Sequence, residues 1–78
     1  MRNGKRFYRL PIVIEHDSAG YFASCPVLQG CYSHGTTYEE ALHNIRDAVR
    51  LHIMDRKASR EPIPQPQEIS LTSLDVAV

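Results

Sequence analysis

Hydrophobic and polar positions alternate with a period of two along residues 7–16. Four apolar side chains fall on one side of an extended chain in this stretch: Tyr8, Leu10, Ile12 and Ile14. That repeat is typical of a β-strand with one buried face. Residues 17–20 include Asp17 and Gly20, which favour a turn, and residues 21–25 form a second apolar run. The pattern predicts a β-hairpin.

A third short strand is predicted over residues 31–34. Pro26 and Gly30 bracket a loop before it, and Gly35 follows it. Both residue types interrupt regular structure and favour turns. Together with the hairpin, this strand completes a predicted three-stranded antiparallel meander.

The clearest helix signal begins at a pair of threonines. Thr36 with Glu39, and Thr37 with Glu40, both have the spacing of a capping box, so either register can start a helix. Apolar positions then recur every three or four residues and stop near Ala58. They are Ala41, Leu42, Ile45, Ala48, Val49, His52 and Ile53.

The chain after the helix divides into a connector and a predicted strand. Residues 59–68 contain three prolines, each of which fixes φ and lacks an amide donor, so they form an extended connector. Residues 69–78 alternate again, with Leu74, Val76 and Val78 on one side. This alternation predicts a fourth strand.

The predicted element order β-β-β-α-β gives an α+β fold with one helix on one face of the sheet. A right-handed crossover through the helix would place the fourth strand parallel to the first. Pro11 cannot donate a ladder hydrogen bond, so whether the first strand is central stays open.

Length and charge narrow the possible functions. The 78 residues suffice for one domain, 1–78, and the 42% hydrophobic content is typical of a folded protein. Nine basic and nine acidic residues cancel, which argues against a domain-wide nucleic-acid footprint. Residues 1–5 are predicted to be a flexible basic terminus, and whether it contacts RNA stays open.

The short N-terminal apolar run is broken by a proline and ends in charge, so we expect neither a signal peptide nor a membrane span. Two cysteines are too few for a disulfide framework, which favours a cytoplasmic protein with reduced thiols.

Catalytic and metal chemistry are both disfavoured by the placement of the candidate residues. The carboxylates Glu15, Glu39, Glu40 and Asp75 are spread over different elements rather than converging as a nuclease site requires. Cys25, Cys31, His34 and His16 could in principle supply zinc ligands, but their spacing matches no standard finger. We therefore expect no enzymatic activity, no catalytic residues, no metal and no cofactor.

One stretch carries a family resemblance. Residues 20–41 read GYFASCPVLQGCYSHGTTYEEA. This stretch resembles the HicB-type antitoxin family, which typically has Gly-Tyr-aromatic-Ala-Ser before a proline-containing loop and Gly-Asp-Thr-x-Glu-Glu-Ala at the helix start. The chain departs from that pattern at Val27, which replaces an acid, at Gln29, which replaces a second proline, and at Thr36, which replaces an acid.

The resemblance implies a partial RNase H-like fold that binds and blocks a small HicA-type mRNA-cleaving toxin. Full-length members of that family carry a C-terminal DNA-binding segment. This chain ends at Val78 without one, so we expect no operator binding.

The expected toxin contacts lie in the loop and the third strand. Leu28 and Tyr32 are the predicted anchors, Gln29 is a predicted rim contact, and His34 is assigned to the same surface, because aromatic and aliphatic anchors carry most interface energy.

Self-association is also expected. One helix covers only one sheet face, and the other keeps apolar surface from Phe7, Pro11 and Val13 near Tyr21 or Phe22, so a dimer is expected. A homo-oligomeric structural or regulatory module without a toxin partner is the alternative function, and a hydrolase is a third.

Overall fold

The computed structural model of the chain describes residues 6–66 and 68–78. Residues 1–5, the predicted flexible basic terminus, lie outside the described residues, as does residue 67 of the predicted connector. The described chain has a three-stranded antiparallel sheet with one helix. This confirms the α+β class, the meander and the single helix.

The three strands pair in chain order. They are β1, Val13–Asp17, β2, Gly20–Ser24, and β3, Tyr32–Gly35. The β1–β2 turn is closed by the Ala19 amide, which donates to Asp17 Oδ1 at 2.8 Å. Gly20 has a φ of +131°, a conformation that other residues rarely adopt, so the turn requires glycine.

The first strand is shorter than the alternation predicted. It begins at Val13 rather than near residue 7, because Val13 pairs with Ser24, the last residue of β2, and β2 offers no further partner. In the described sheet β1 is an edge strand, and Pro11 lies outside the ladder. The missing amide of Pro11 therefore costs no sheet hydrogen bond.

Helix α1 spans Tyr38–Ala58 and uses the second of the two possible capping registers. The Glu40 amide donates to Thr37 Oγ1 at 3.0 Å, and Glu40 Oε1 accepts from both the amide and the hydroxyl of Thr36. The two hydrogen bonds from Thr36, that of its amide first, lower the pKa of the Glu40 carboxyl. No helix in the described part of the chain is long and apolar enough to cross a membrane.

The core lies between α1 and one face of the sheet. It consists of Ala23, Cys25, Leu28, Cys31, Ala41 and Ile45. The helix start approaches β3 so closely that a Cβ on Gly35 would meet the Ala41 amide nitrogen at 2.5 Å. Asn44 Nδ2 adds a 2.8 Å hydrogen bond to the His34 carbonyl oxygen. The helix is thereby fixed against the third strand.

The predicted fourth strand does not form within the described chain. Residues 68–78 pair with no strand and are exposed along their whole length. Extended chain becomes a strand only when its amides and carbonyls join a ladder. Alternation predicts which side chains of this segment share a face, but it does not identify a neighbouring strand with which the segment would pair.

We expect Ile45→Ala to lower the free energy of unfolding by about 2–5 kcal/mol, because Ile45 fills the helix side of the core. Leu51→Ala on the same helix is the matched control, since Leu51 is 65% exposed and its truncation leaves no cavity. Urea denaturation measures both. Equal midpoints for the two variants would contradict the assigned helix face.

Candidate functional site: the open face of the sheet

The strand register sorts the side chains of the sheet onto two faces. Ser24 is paired with both Val13 and Tyr32, and Phe22 is paired with both Glu15 and His34. Directly paired residues share a face, so these six point the same way. The next pairs along, Ile14 with Ala23 and Ala23 with Ser33, lie on the helix side. We call the face away from α1 the open face; it comprises Val13, Glu15, Phe22, Ser24, Tyr32 and His34.

The open face presents aromatic surface next to polar groups. Phe22 is 48% exposed and Tyr32 is 72% exposed. The rings of Phe22 and His34 lie 6.0 Å apart, inclined by 45°. Glu15, Phe22, Ser24 and Tyr32 line a shallow hollow. Exposed aromatic rings flanked by a carboxylate and an imidazole resemble the anchors of a protein interface rather than a reactive centre.

The loop between β2 and β3 folds around Leu28. The Cys25 amide donates to the Cys31 carbonyl at 3.0 Å, and the Leu28 amide donates to the Cys25 carbonyl at 3.0 Å. The Cys31 amide in turn donates to the Leu28 carbonyl at 3.1 Å. These bonds turn the Leu28 side chain inward, where it is 1% exposed.

The four predicted contact residues therefore divide into two groups. Tyr32 and His34 lie on the open face, and Gln29 is exposed in the loop. The prediction of Leu28 as a contact residue is corrected by the structure. Its side chain belongs to the core and is not accessible to a partner while the fold is intact. Its prediction as an anchor assumed that the apolar side chain of a loop points outward.

The sequence also left one aromatic position undecided. It placed either Tyr21 or Phe22 on the face away from the helix, and the register assigns Phe22 to it. Tyr21 packs on the other side, edge-to-face with Tyr38 of the helix at 6.5 Å. The period-two alternation extended from the buried Ala23 was the signal that could have settled this choice.

The structure does not bring the candidate zinc ligands together. Cys25 and Cys31 are free thiols buried on the helix side, whereas His34 lies on the open face. Burial raises the pKa of both thiols. Among residues 6–66 and 68–78, no group of three or more His, Cys, Asp or Glu side chains is placed to hold a metal ion.

The candidate carboxylates are separated in the same way. Glu15 lies on the open face, while Glu40 is engaged in the helix cap. Asp75 lies in the exposed C-terminal residues. The structure gives no convergence of these groups in one place.

Comparison with known proteins identifies one matching family and several similar proteins. The family model described as a HicB-like antitoxin of bacterial toxin–antitoxin systems matches residues 10–76. A UPF0150 protein of Synechocystis is 36% identical over 95% of this chain and 94% of its own. A UPF0150 protein of Helicobacter pylori is 40% identical over 83% of this chain and 90% of its own. One of Thermoplasma acidophilum is 37% identical over 78% and 90%, respectively. No solved structure matches the chain.

We expect Leu28→Glu to abolish cooperative folding, because the substitution places a carboxylate without a partner in the core. Gln29→Glu is the matched control in the same loop, and its exposed side chain predicts a change within about 0.5 kcal/mol. Thermal unfolding followed by circular dichroism measures both. A native-like transition for Leu28→Glu would show that the loop side chain is not buried.

Proposed function

The chain belongs to the HicB-like antitoxin family, and from this premise we propose that it binds and sterically neutralises a small HicA-type mRNA-cleaving toxin. The observation that carries the proposal is the open face, where Phe22 and Tyr32 remain exposed beside each other on paired strands. Aromatic side chains of this kind supply most of the energy of a protein interface once a partner desolvates them.

The edge of the sheet supports the same surface. β3 is the last strand of the described sheet, so one side of its backbone has no strand partner there. An exposed strand edge can accept an extended segment of another protein through main-chain hydrogen bonds. Tyr32 and His34 on β3 would then supply side-chain contacts next to that edge, with Gln29 at the rim.

Charge also favours this partner class. Residues 15–40 contain four acidic residues and no lysine or arginine: Glu15, Asp17, Glu39 and Glu40. A toxin that cleaves mRNA must bind a polyanion and therefore carries basic surface. Opposite charge on the antitoxin steers association and disfavours wrong partners.

Inhibition by this surface would be steric. The matched family is one of antitoxins and not an enzyme family. Occupying the surface with which the toxin binds RNA needs aromatic contact and complementary charge, and no reactive group on the inhibitor. We place this complex in the cytoplasm, where the toxin meets mRNA.

The family also implies finer features. It implies a partial RNase H-like fold with a fourth strand, which residues 68–78 of the same chain or of a second copy would supply. A homo-oligomeric module without a toxin partner is the second candidate function. The exposed apolar side chains of that same segment, including Leu74 at 81% and Val76 at 75%, favour it.

We expect Tyr32→Glu to weaken binding to the toxin by about 30-fold or more, the loss typical of an interface anchor. Leu51→Glu is the control, because Leu51 is exposed on α1 away from the open face. Titration calorimetry with a HicA-type protein encoded beside the chain, and growth rescue on co-expression, measure the effect. Full neutralisation of an active toxin by folded Tyr32→Glu would place the binding surface elsewhere.

A further inference from the structure

A second surface lies between the chain before β1 and the later turns of α1. Its apolar floor and basic rim border an open hollow of about 700 Å³. The lining residues are Arg6, Phe7, Tyr8, Arg46, Val49, Arg50, Ile53, Met54 and Lys57, and we call this surface the basic groove. It carries four cationic side chains and no acidic one. The Arg6 guanidinium lies 5.5 Å from the centre of the Tyr8 ring, a cation–π contact at one side of the groove.

The C-terminal segment, residues 68–78, has the complementary composition. It contains Glu68 and Asp75 and no lysine or arginine. Leu74, Val76 and Val78 form an apolar stripe on one side of the alternation, and all three are at least 75% exposed. An alternating apolar segment exposed in this way has no buried face, which is an unfavourable arrangement in water.

We propose that the C-terminal segment of one copy occupies the basic groove of a second copy, and that the reciprocal contact makes a twofold dimer. The stripe of Leu74, Val76 and Val78 packs on the apolar floor formed by Val49, Ile53 and Met54. Asp75 lies among the long cationic side chains of the rim. The proposal does not depend on the toxin or on the open face.

The course of the chain favours a second copy over the segment's own groove. Pro66, Glu68 and Ile69 line one shallow hollow together with residues 9–11 of the same chain. The groove begins at residues 6–8, yet no residue of the C-terminal segment lines it. The segment thus starts near the groove but does not occupy the groove of its own chain. An exchange of segments between two copies requires this arrangement.

The lengths agree with this arrangement. The groove follows α1 from Arg46 to Lys57, which is about 17 Å at 1.5 Å per residue. An extended chain covers that distance with about five residues at 3.3 Å each. Residues 71–78 provide that length, including the whole apolar stripe. Residues 6–12 pair with no strand in the described sheet, so their backbone is also available to the incoming segment.

The test compares two leucines of the same segment in the full chain. Leu74 and Leu71 are similarly exposed, at 81% and 84%, but lie on opposite sides of the alternation. We expect Leu74→Ser to raise the dimer dissociation constant about 100-fold, because the contact is lost twice in a twofold dimer at about tenfold each. Leu71→Ser should change it by less than about threefold. Sedimentation velocity across a concentration series measures both.

A charge exchange tests the groove itself. Asp75→Lys alone and the double variant Arg46→Glu, Arg50→Glu alone should each weaken the dimer. A mixture of these two variants should form a mixed dimer more tightly than either forms alone, because one copy then offers a lysine to the acidic groove of the other.

Three results would overturn the proposal. The first is a wild-type chain that stays monomeric at 500 micromolar, a concentration on the order of that at which even weak dimers form. The second is a dimer equally unaffected by Leu74→Ser and by the groove variants, since its interface would then lie elsewhere, for example on the open face. The third is a monomer whose basic groove binds a short single-stranded RNA, with loss of that binding in Arg46→Glu, Arg50→Glu.

Discussion

A single helix can bury only one face of a three-stranded sheet, and the rest of this structure depends on that constraint. Helix α1 covers the face that carries Ala23, and Ala41 and Ile45 complete the core from the helix side. Among residues 6–66 and 68–78, six apolar side chains are fully buried, and all six belong to this core, so Phe22 and Tyr32 on the opposite face stay exposed. A small domain that cannot cover its own apolar surface commonly covers it with a partner.

The position of the helix follows from its start. The Thr37 cap fixes the first turn, and Gly35 lets the end of β3 come against the Ala41 backbone, where any side chain would collide. The later turns of α1 extend past this contact and form one wall of the basic groove. The same placement that closes the core on one side therefore leaves both exposed surfaces: the open face behind the sheet and the groove beside it.

Much of this arrangement could be predicted from the sequence, because it is encoded locally. Alternation, the turn at Asp17 and Gly20, and the capping spacing at Thr37 and Glu40 all act over a few residues. Leu28 could not be oriented in this way, since a loop has no period and the hydrogen bonds between Cys25 and Cys31 decide which way it points. The sequence could not predict whether residues 68–78 pair with a strand either. Alternation identifies which side chains share a face, but it does not identify a sheet edge with which the segment would pair.

Two tyrosines on neighbouring strands distinguish the open face from the helix side of the sheet. Tyr32 lies on the open face at 72% exposure, and Tyr21 lies on the helix side between the rings of His16 and Tyr38. Hydroxyl-radical footprinting of the intact chain, read by mass spectrometry, measures the oxidation rate of each ring. We expect Tyr32 to be oxidised several times faster than Tyr21 in the folded chain, and the two rates to become equal in denaturant. Oxidation of Tyr21 at least as fast as that of Tyr32 in the folded chain would contradict the assignment of the two faces.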